Sequence, residues 1–132
     1  HLALRRYVLR LNGGDGGPSC VGVDSVPRTE YADVGADDIA GASFELEDFY
    51  TDACVLSTDE IGTPKTAMSA WWQYGSCVET TGVPFLVQLE DGHVIKLAVE
   101  TYYADEGQDE CNEGGSTDAE SGWITLRWAY LY

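Results

Sequence analysis

The stretch Pro84–Tyr103, PFLVQLEDGHVIKLAVETYY, decides how the rest of the chain is read. Two β-branched and aromatic runs, PFLVQL and VIKLAVETYY, flank EDGH, and an Asp-Gly dipeptide between such runs is a strong short-range hairpin signal. The pair Asp91-Gly92 predicts a type I′ turn, in which both central residues need positive φ. His93 stands just past that turn, so it is either a ligand or simply a polar turn residue beside Glu90 and Asp91. The turn alone accounts for a polar ring at this position.

Working outward, the other strands are shorter or less regular. Residues 2 to 11 set Leu2, Leu4 and Val8 on one parity against Ala3, Tyr7, Leu9 and Leu11 on the other, and NGGDGGP then ends them; this predicts one strand followed by a mobile turn. Ser19 to Gly41 is rich in Gly, Asp, Ser and Pro and reads as an irregular excursion. ASFELEDF fits either a short strand or one helical turn, and ACVLST a short strand. In MSAWWQYG the adjacent Trp71 and Trp72 point to opposite faces if the segment is extended. GWITLRWAYLY closes the chain as a strand, with Ile124, Leu126, Trp128 and Tyr130 on one parity. No internal repeat or long helix is evident. The sum is an all-β fold, an antiparallel sandwich or open barrel with long acidic and Gly-rich loops.

Composition narrows the function classes. At 132 residues, with 44% hydrophobic content, the chain suits a single domain with its own core. A formal charge of −16, from 23 acidic against 7 basic side chains, opposes any polyanionic partner. Nucleic acid and anionic membrane are therefore excluded as expectations. No apolar run is long enough for a transmembrane helix, and HLALRRYVLRLN is no signal peptide. The sequence opens on His1 already in strand-like alternation, which points to upstream residues removed by processing or lying outside it. Four widely spaced cysteines without a CxxC pair suit two disulfides in an oxidising compartment: extracellular, cell-surface or periplasmic. Of the three pairings, Cys20–Cys54 with Cys77–Cys111 joins neighbouring irregular segments and is preferred.

Three features bear on ligands. Only His1, Met68 and His93 could ligate iron with usual strength. Met68 is either a thioether ligand beside Trp71 and Trp72 or a gap-filler at the edge of an aromatic cluster, the plainer reading. His1 as a free N-terminus, with His93 as a third nitrogen ligand, would resemble a copper histidine brace; an arbitrary processed end explains it as well. The loop ADEGQDECNEGGSTDAE offers Asp105, Asp109 and Glu113 to calcium, a cation that takes six to eight oxygens. Its spacing departs from the D-x-[DN]-x-[DN]-G loop, and a solvated acidic loop pinned at Cys111 is the alternative. Neither a nucleophile elbow nor an orienting third group accompanies the histidines, so no enzyme is expected.

The order WWQY, then PFLVQLEDGHVIKLAVETYY, an acidic glycine-containing loop and GWITLRWAYLY resembles the HmuY-like family of secreted or lipid-anchored haem-binding proteins. LALRRYVLRLNGG also looks like that family's early strand, which usually begins with Trp-Asp just upstream. The resemblance covers the first dozen residues and about the last sixty. It implies an extracellular or cell-surface haemophore-like binding protein holding haem, or another flat tetrapyrrole, through axial side chains such as His or Met. Carried onto this chain, the haem-binding set is His93, Met68, Trp71, Trp72 and Tyr74, in a pocket between MSAWWQY and the 84–103 hairpin. The other expectation is a structural subunit of an extracellular assembly. With 11% aromatic residues, a small β domain cannot bury them all, and exposed aromatics with open strand edges suit self-assembly.

Overall fold

A computed structural model describes residues 2–59 and 62–131. The hairpin at its centre joins β6 (Phe85–Gln88) to β7 (Val94–Tyr103) in antiparallel register, Phe85 opposite Leu97 and Gln88 opposite Val94. The turn itself differs from expectation. Gly92 alone has positive φ (88°), its amide donates to the Leu89 carbonyl at 2.9 Å, and Leu89 N donates to His93 O at 2.7 Å. This is a type I turn closed by a left-handed glycine, which accommodates Glu90 and Asp91 without placing either in the left-handed region.

Around this hairpin a four-stranded antiparallel sheet runs β3–β6–β7–β8, with β3 at Gly22–Ser25 and β8 at Ser121–Tyr130. Two two-stranded ribbons accompany it: β1 (Leu2–Arg5) with β2 (Val8–Leu11), and β4 (Trp72–Tyr74) with β5 (Val78–Thr80). All five named strand pairings are antiparallel and no barrel closes, so the architecture is all-β and sandwich-like, as predicted. On one face of the large sheet Val23, Phe85, Val87, Leu97 and Val99 meet Leu9, Leu11, Met68, Trp71, Val78 and Tyr102 in the main core. The alternating residues Leu86 and Val94 face the other way and bury against Val34, Ile39 and Phe44, where α1 (Ala36–Gly41) lies. Both faces of β6 are covered, which explains its unbroken apolar run.

The predicted single strand over residues 2 to 11 is instead a tight hairpin, turning at Arg6 and Tyr7. Arg6 carries the positive φ (55°) that such turns usually give to Gly or Asn, so the sequence hid it. The glycine loop is likewise no mobile turn. It wraps the buried carboxylate of Glu47, whose Oε1 accepts from Leu11 N at 2.8 Å and Oε2 from Ala67 N at 3.0 Å. A Cβ on Gly13 would strike the Val21 carbonyl oxygen, and one on Gly14 the Glu47 carbonyl oxygen. ASFELEDF forms isolated bridges through Glu45 and Glu47, and ACVLST a bridge at Leu56 with Tyr50, rather than full strands. MSAWWQYG bends through a 3₁₀ turn at Ser69–Trp71 before β4 begins; Trp71 is buried and Trp72 half-buried.

The acidic segment after β7 holds a helix, α2 (Gly107–Asn112), fixed by three attachments. Gln108 accepts from Tyr102 N at 2.7 Å and donates to Val78 O at 3.1 Å and Asn112 Oδ1 at 2.9 Å. Asn112 in turn pairs with the backbone and hydroxyl of Thr80. Cys77–Cys111 forms the expected disulfide, clamping α2 beside β5. The second expected disulfide is absent: Cys20 and Cys54 are exposed free thiols. Cys20 is tied to Gly13 by a bridge, and Cys54 sits in its own turn at φ 59°, so local structure holds each in a separate loop.

Two stability tests follow from these ties. Glu47→Gln puts an amide donor against one of two backbone donors and is expected to cost about 1.5–3 kcal/mol, read as a lower denaturant midpoint. An unchanged midpoint would contradict the bridging role. Replacing both Cys77 and Cys111 by Ala removes a crosslink spanning 34 residues and is expected to cost about 2–4 kcal/mol in the same assay.

Candidate functional site

The residues expected to form one pocket are split by the fold. Met68 and Trp71 are 0% and 1% exposed, members of the main core, and the Trp71 indole donates to Tyr7 O at 3.1 Å. Met68 presents no sulfur to the surface. Trp72 and Tyr74 line a cleft of about 800 Å³ with Thr58, Lys65, Gln73 and Glu79. Tyr74 supplies a phenol there, but no imidazole or thioether lines that cleft.

His93 lies elsewhere, at the mouth of the β6–β7 turn, with its side chain 57% exposed. Its surroundings are ordered by the turn. The Asp91 carboxylate accepts from His93 N at 3.1 Å and lies 3.0 Å from the ring Nδ1. The backbone N–H of His93, with its ring, holds the Asp91 carboxyl below the usual aspartate value. With Nδ1 engaged, Nε2 is left without a partner among the described residues. A carboxylate on one imidazole nitrogen fixes the tautomer that offers the other nitrogen as a lone pair.

An aromatic shelf adjoins this imidazole. The Tyr130 ring stands 6.1 Å from it, edge to face, and Trp128 packs 5.7 Å from Tyr130 in the same manner. Register explains their position. Tyr130 pairs with Ile95 and Trp128 with Leu97, so both rings share the face that Leu97 turns into the main core. Over β8, however, they stay open to solvent: Trp128 is 56% and Tyr130 63% exposed. Sequence parity put Trp128 and Tyr130 on one face but gave no sign that the face was uncovered or that it met His93. The only signal was their excess over what the core can hold.

The remaining candidates fare as follows. His1 lies outside the described residues. Asp105 lines an open acidic hollow with Glu106, Glu110 and Asp118, to which neither Asp109 nor Glu113 contributes. Among the described residues no group of three or more His, Cys, Asp or Glu side chains gathers as a metal site, so the calcium expectation is not met. Helix α2 is the reason, since it sets Asp109 and Glu113 on exposed backbone around Cys111 instead of folding them inward. No helix among the described residues is long and apolar enough to cross a membrane.

No family model and no curated protein matches the sequence. Solved structures do. A protein of Bacteroides fragilis NCTC 9343, described as a lipoprotein, superimposes with TM-score 0.56 at 16% identity, covering 99% of this chain and 68% of its own. The apo HmuY analogue of Tannerella forsythia gives TM-score 0.59 at 13% identity, covering 100% of this chain and 66% of its own. A protein of Bacteroides vulgatus ATCC 8482, described as HmuY-like and haem-binding, gives 0.54 at 13%, covering 99% and 70%. The chain thus spans about two thirds of the length of these neighbours. At such identities the likeness is one of fold, and the fold is the one that the sequence resemblance implied: that of the HmuY-like structures.

Proposed function

We propose that this chain is a haem-binding protein of the cell surface or periplasm that takes the macrocycle on the shelf formed by His93, Trp128 and Tyr130. The observation that carries the reading is the Asp91–His93 pair beside those two exposed rings. Nε2 is free to approach an iron, Asp91 orients the imidazole, and two aromatic faces offer contact area to a flat apolar ring. The neighbours described as HmuY analogue and HmuY-like haem-binding protein support the ligand class, and the one described as a lipoprotein supports the location. Bound haem would supply an iron for an imidazole to coordinate; the chain's part would be to orient the His93 ring through Asp91 and to offer aromatic surface to one face of the macrocycle. Trp72 and Tyr74 form a second aromatic wall with Lys65 at hand for a carboxylate, yet Met68 could reach it only by opening the core. The descriptions of the neighbours favour a binding module over an enzyme.

Titration with haemin should move and sharpen the Soret band of the wild-type protein. His93→Ala should abolish the shift, Asp91→Asn should weaken affinity about tenfold or more, and Met68→Leu should leave it unchanged. A wild-type protein that gives no Soret change would defeat the proposal, and loss on Met68→Leu would move the ligand to the core side.

A second reading rests on the edge of β8. Among the described residues β8 pairs with β7 alone, and Ser121–Tyr130 contains no carboxylate in a chain of 23. Leu131 N donates inward to Val94 O, so the backbone groups of Leu126, Trp128 and Tyr130 point to the open side. Two copies could pair antiparallel there, since no carboxylate of this strand opposes the approach. Light scattering should then show a concentration-dependent dimer that Trp128→Lys removes; a monomer at all concentrations would count decisively against it.

A further inference from the structure

The β1–β2 hairpin carries three of the chain's seven basic residues, Arg5, Arg6 and Arg10. In a protein with 23 carboxylates, each would be expected to find an acidic partner. None does: among the described residues neither Arg5, Arg6 nor Arg10 forms an ion pair. Of the four other cations, Arg28 and Lys65 also form no ion pair among the described residues, but they stand singly, whereas Lys96 and Arg127 are engaged. Lys96 donates to the carbonyls of Tyr31 and Val34, and Arg127 lies over Tyr31 and within 4.0 Å of Glu100.

These three arginines surround an open cleft of about 470 Å³ whose walls are largely apolar, with Leu4, Tyr7, Phe49 and Leu56 among them. Leu4 is 51% and Leu56 43% exposed, so apolar surface stays in water beside unneutralised charge. Arg10 is held in place by stacking on Phe49, its guanidinium carbon 4.5 Å from the ring centroid. Arg6 is held by the turn at φ 55°, a conformation disfavoured by roughly 1–2 kcal/mol for a residue with a Cβ. A glycine or asparagine would serve the turn better, and strain of this kind tends to mark function.

We propose that this cleft is a second binding site, separate from the His93 shelf, for a small amphiphile with an acidic head group and an apolar body. The arginines take a carboxylate or phosphate through charge-assisted hydrogen bonds, and the apolar walls take the chain. Charge complementarity selects the occupant. The net charge of −16 repels a large polyanion, whereas a single anionic head meets three unpaired guanidinium groups at short range.

The test uses calorimetric titration with dodecanoate, dodecyl phosphate and 1-dodecanol, each below its aggregation threshold. One or both acidic ligands should bind at least tenfold more tightly than the alcohol, and the preferred head distinguishes a carboxylate source from a phosphate one. Arg6→Gly relieves the turn, so its thermal midpoint should not fall, while affinity for the acidic ligand should drop about tenfold; Arg10→Gln should act likewise. The haem Soret titration should be unchanged in both variants. Equal binding of the alcohol, or unaltered affinity in both variants, would overturn the site. Loss of haem binding in Arg6→Gly would also overturn it, by making the cleft part of the haem site.

Discussion

Glu47 accepts two backbone amides, from Leu11 and from Ala67, at a place only 2% open to water. Burying a carboxylate is costly unless donors surround it, and here the donors come from two segments far apart in sequence, which Tyr7 also joins through Trp71 and Thr63. Its own backbone adds a third tie, since Glu47 O accepts from Asp15 N at 2.9 Å. The end of β2, the glycine loop and the approach to Trp71 are thereby gathered at one point. Met68 and Trp71 enter the core immediately after Ala67, and the arginine hairpin hangs from the same strand that Glu47 anchors. Both the core aromatics and the cationic cleft adjoin the segments that this one buried carboxylate ties together.

The opposite end of the molecule is fixed by different means. Gln108, Asn112 and Cys77–Cys111 attach α2 to β5 and to the far end of β7, leaving β7 as a ten-residue bar clamped at Tyr102. At its near end the same strand begins beside His93 and sets Tyr130 across from Ile95. A shelf built on a clamped strand and a defined turn is better placed than one on a free loop, because its partners need little further ordering on binding.

Patterns of period two made the β6–β7 hairpin, the closing strand and the all-β class legible, because side-chain alternation and a turn dipeptide are local properties. The turn type is not legible in this way, since Asp-Gly serves a left-handed glycine after a type I turn as well as a type I′ turn. The β1–β2 reversal was hidden by a turn residue, Arg6, that no turn preference favours. Glu47 was unreadable for another reason: in a chain so rich in acids, one carboxylate out of 23 carries no mark of burial. As for the site, His93 could be singled out as a scarce donor, but its aromatic neighbours arrive from β8 through strand register, which sequence parity does not supply. Met68 and Trp71 looked like ligand walls because an exposed and a buried aromatic cluster share one composition.

The uneven placement of charge has a consequence beyond either cleft. Arg5, Arg6 and Arg10 gather positive charge without ion pairs at one hairpin of a chain whose net charge is −16, an arrangement that gives a polyanion a positive end. Near a charged boundary it experiences a torque before it makes any contact. Its net charge keeps it away from an anionic layer, while its positive end turns toward that layer. Orientation at a distance of about a Debye length, roughly 8 Å in physiological salt, thus has a contribution from three side chains on a single hairpin.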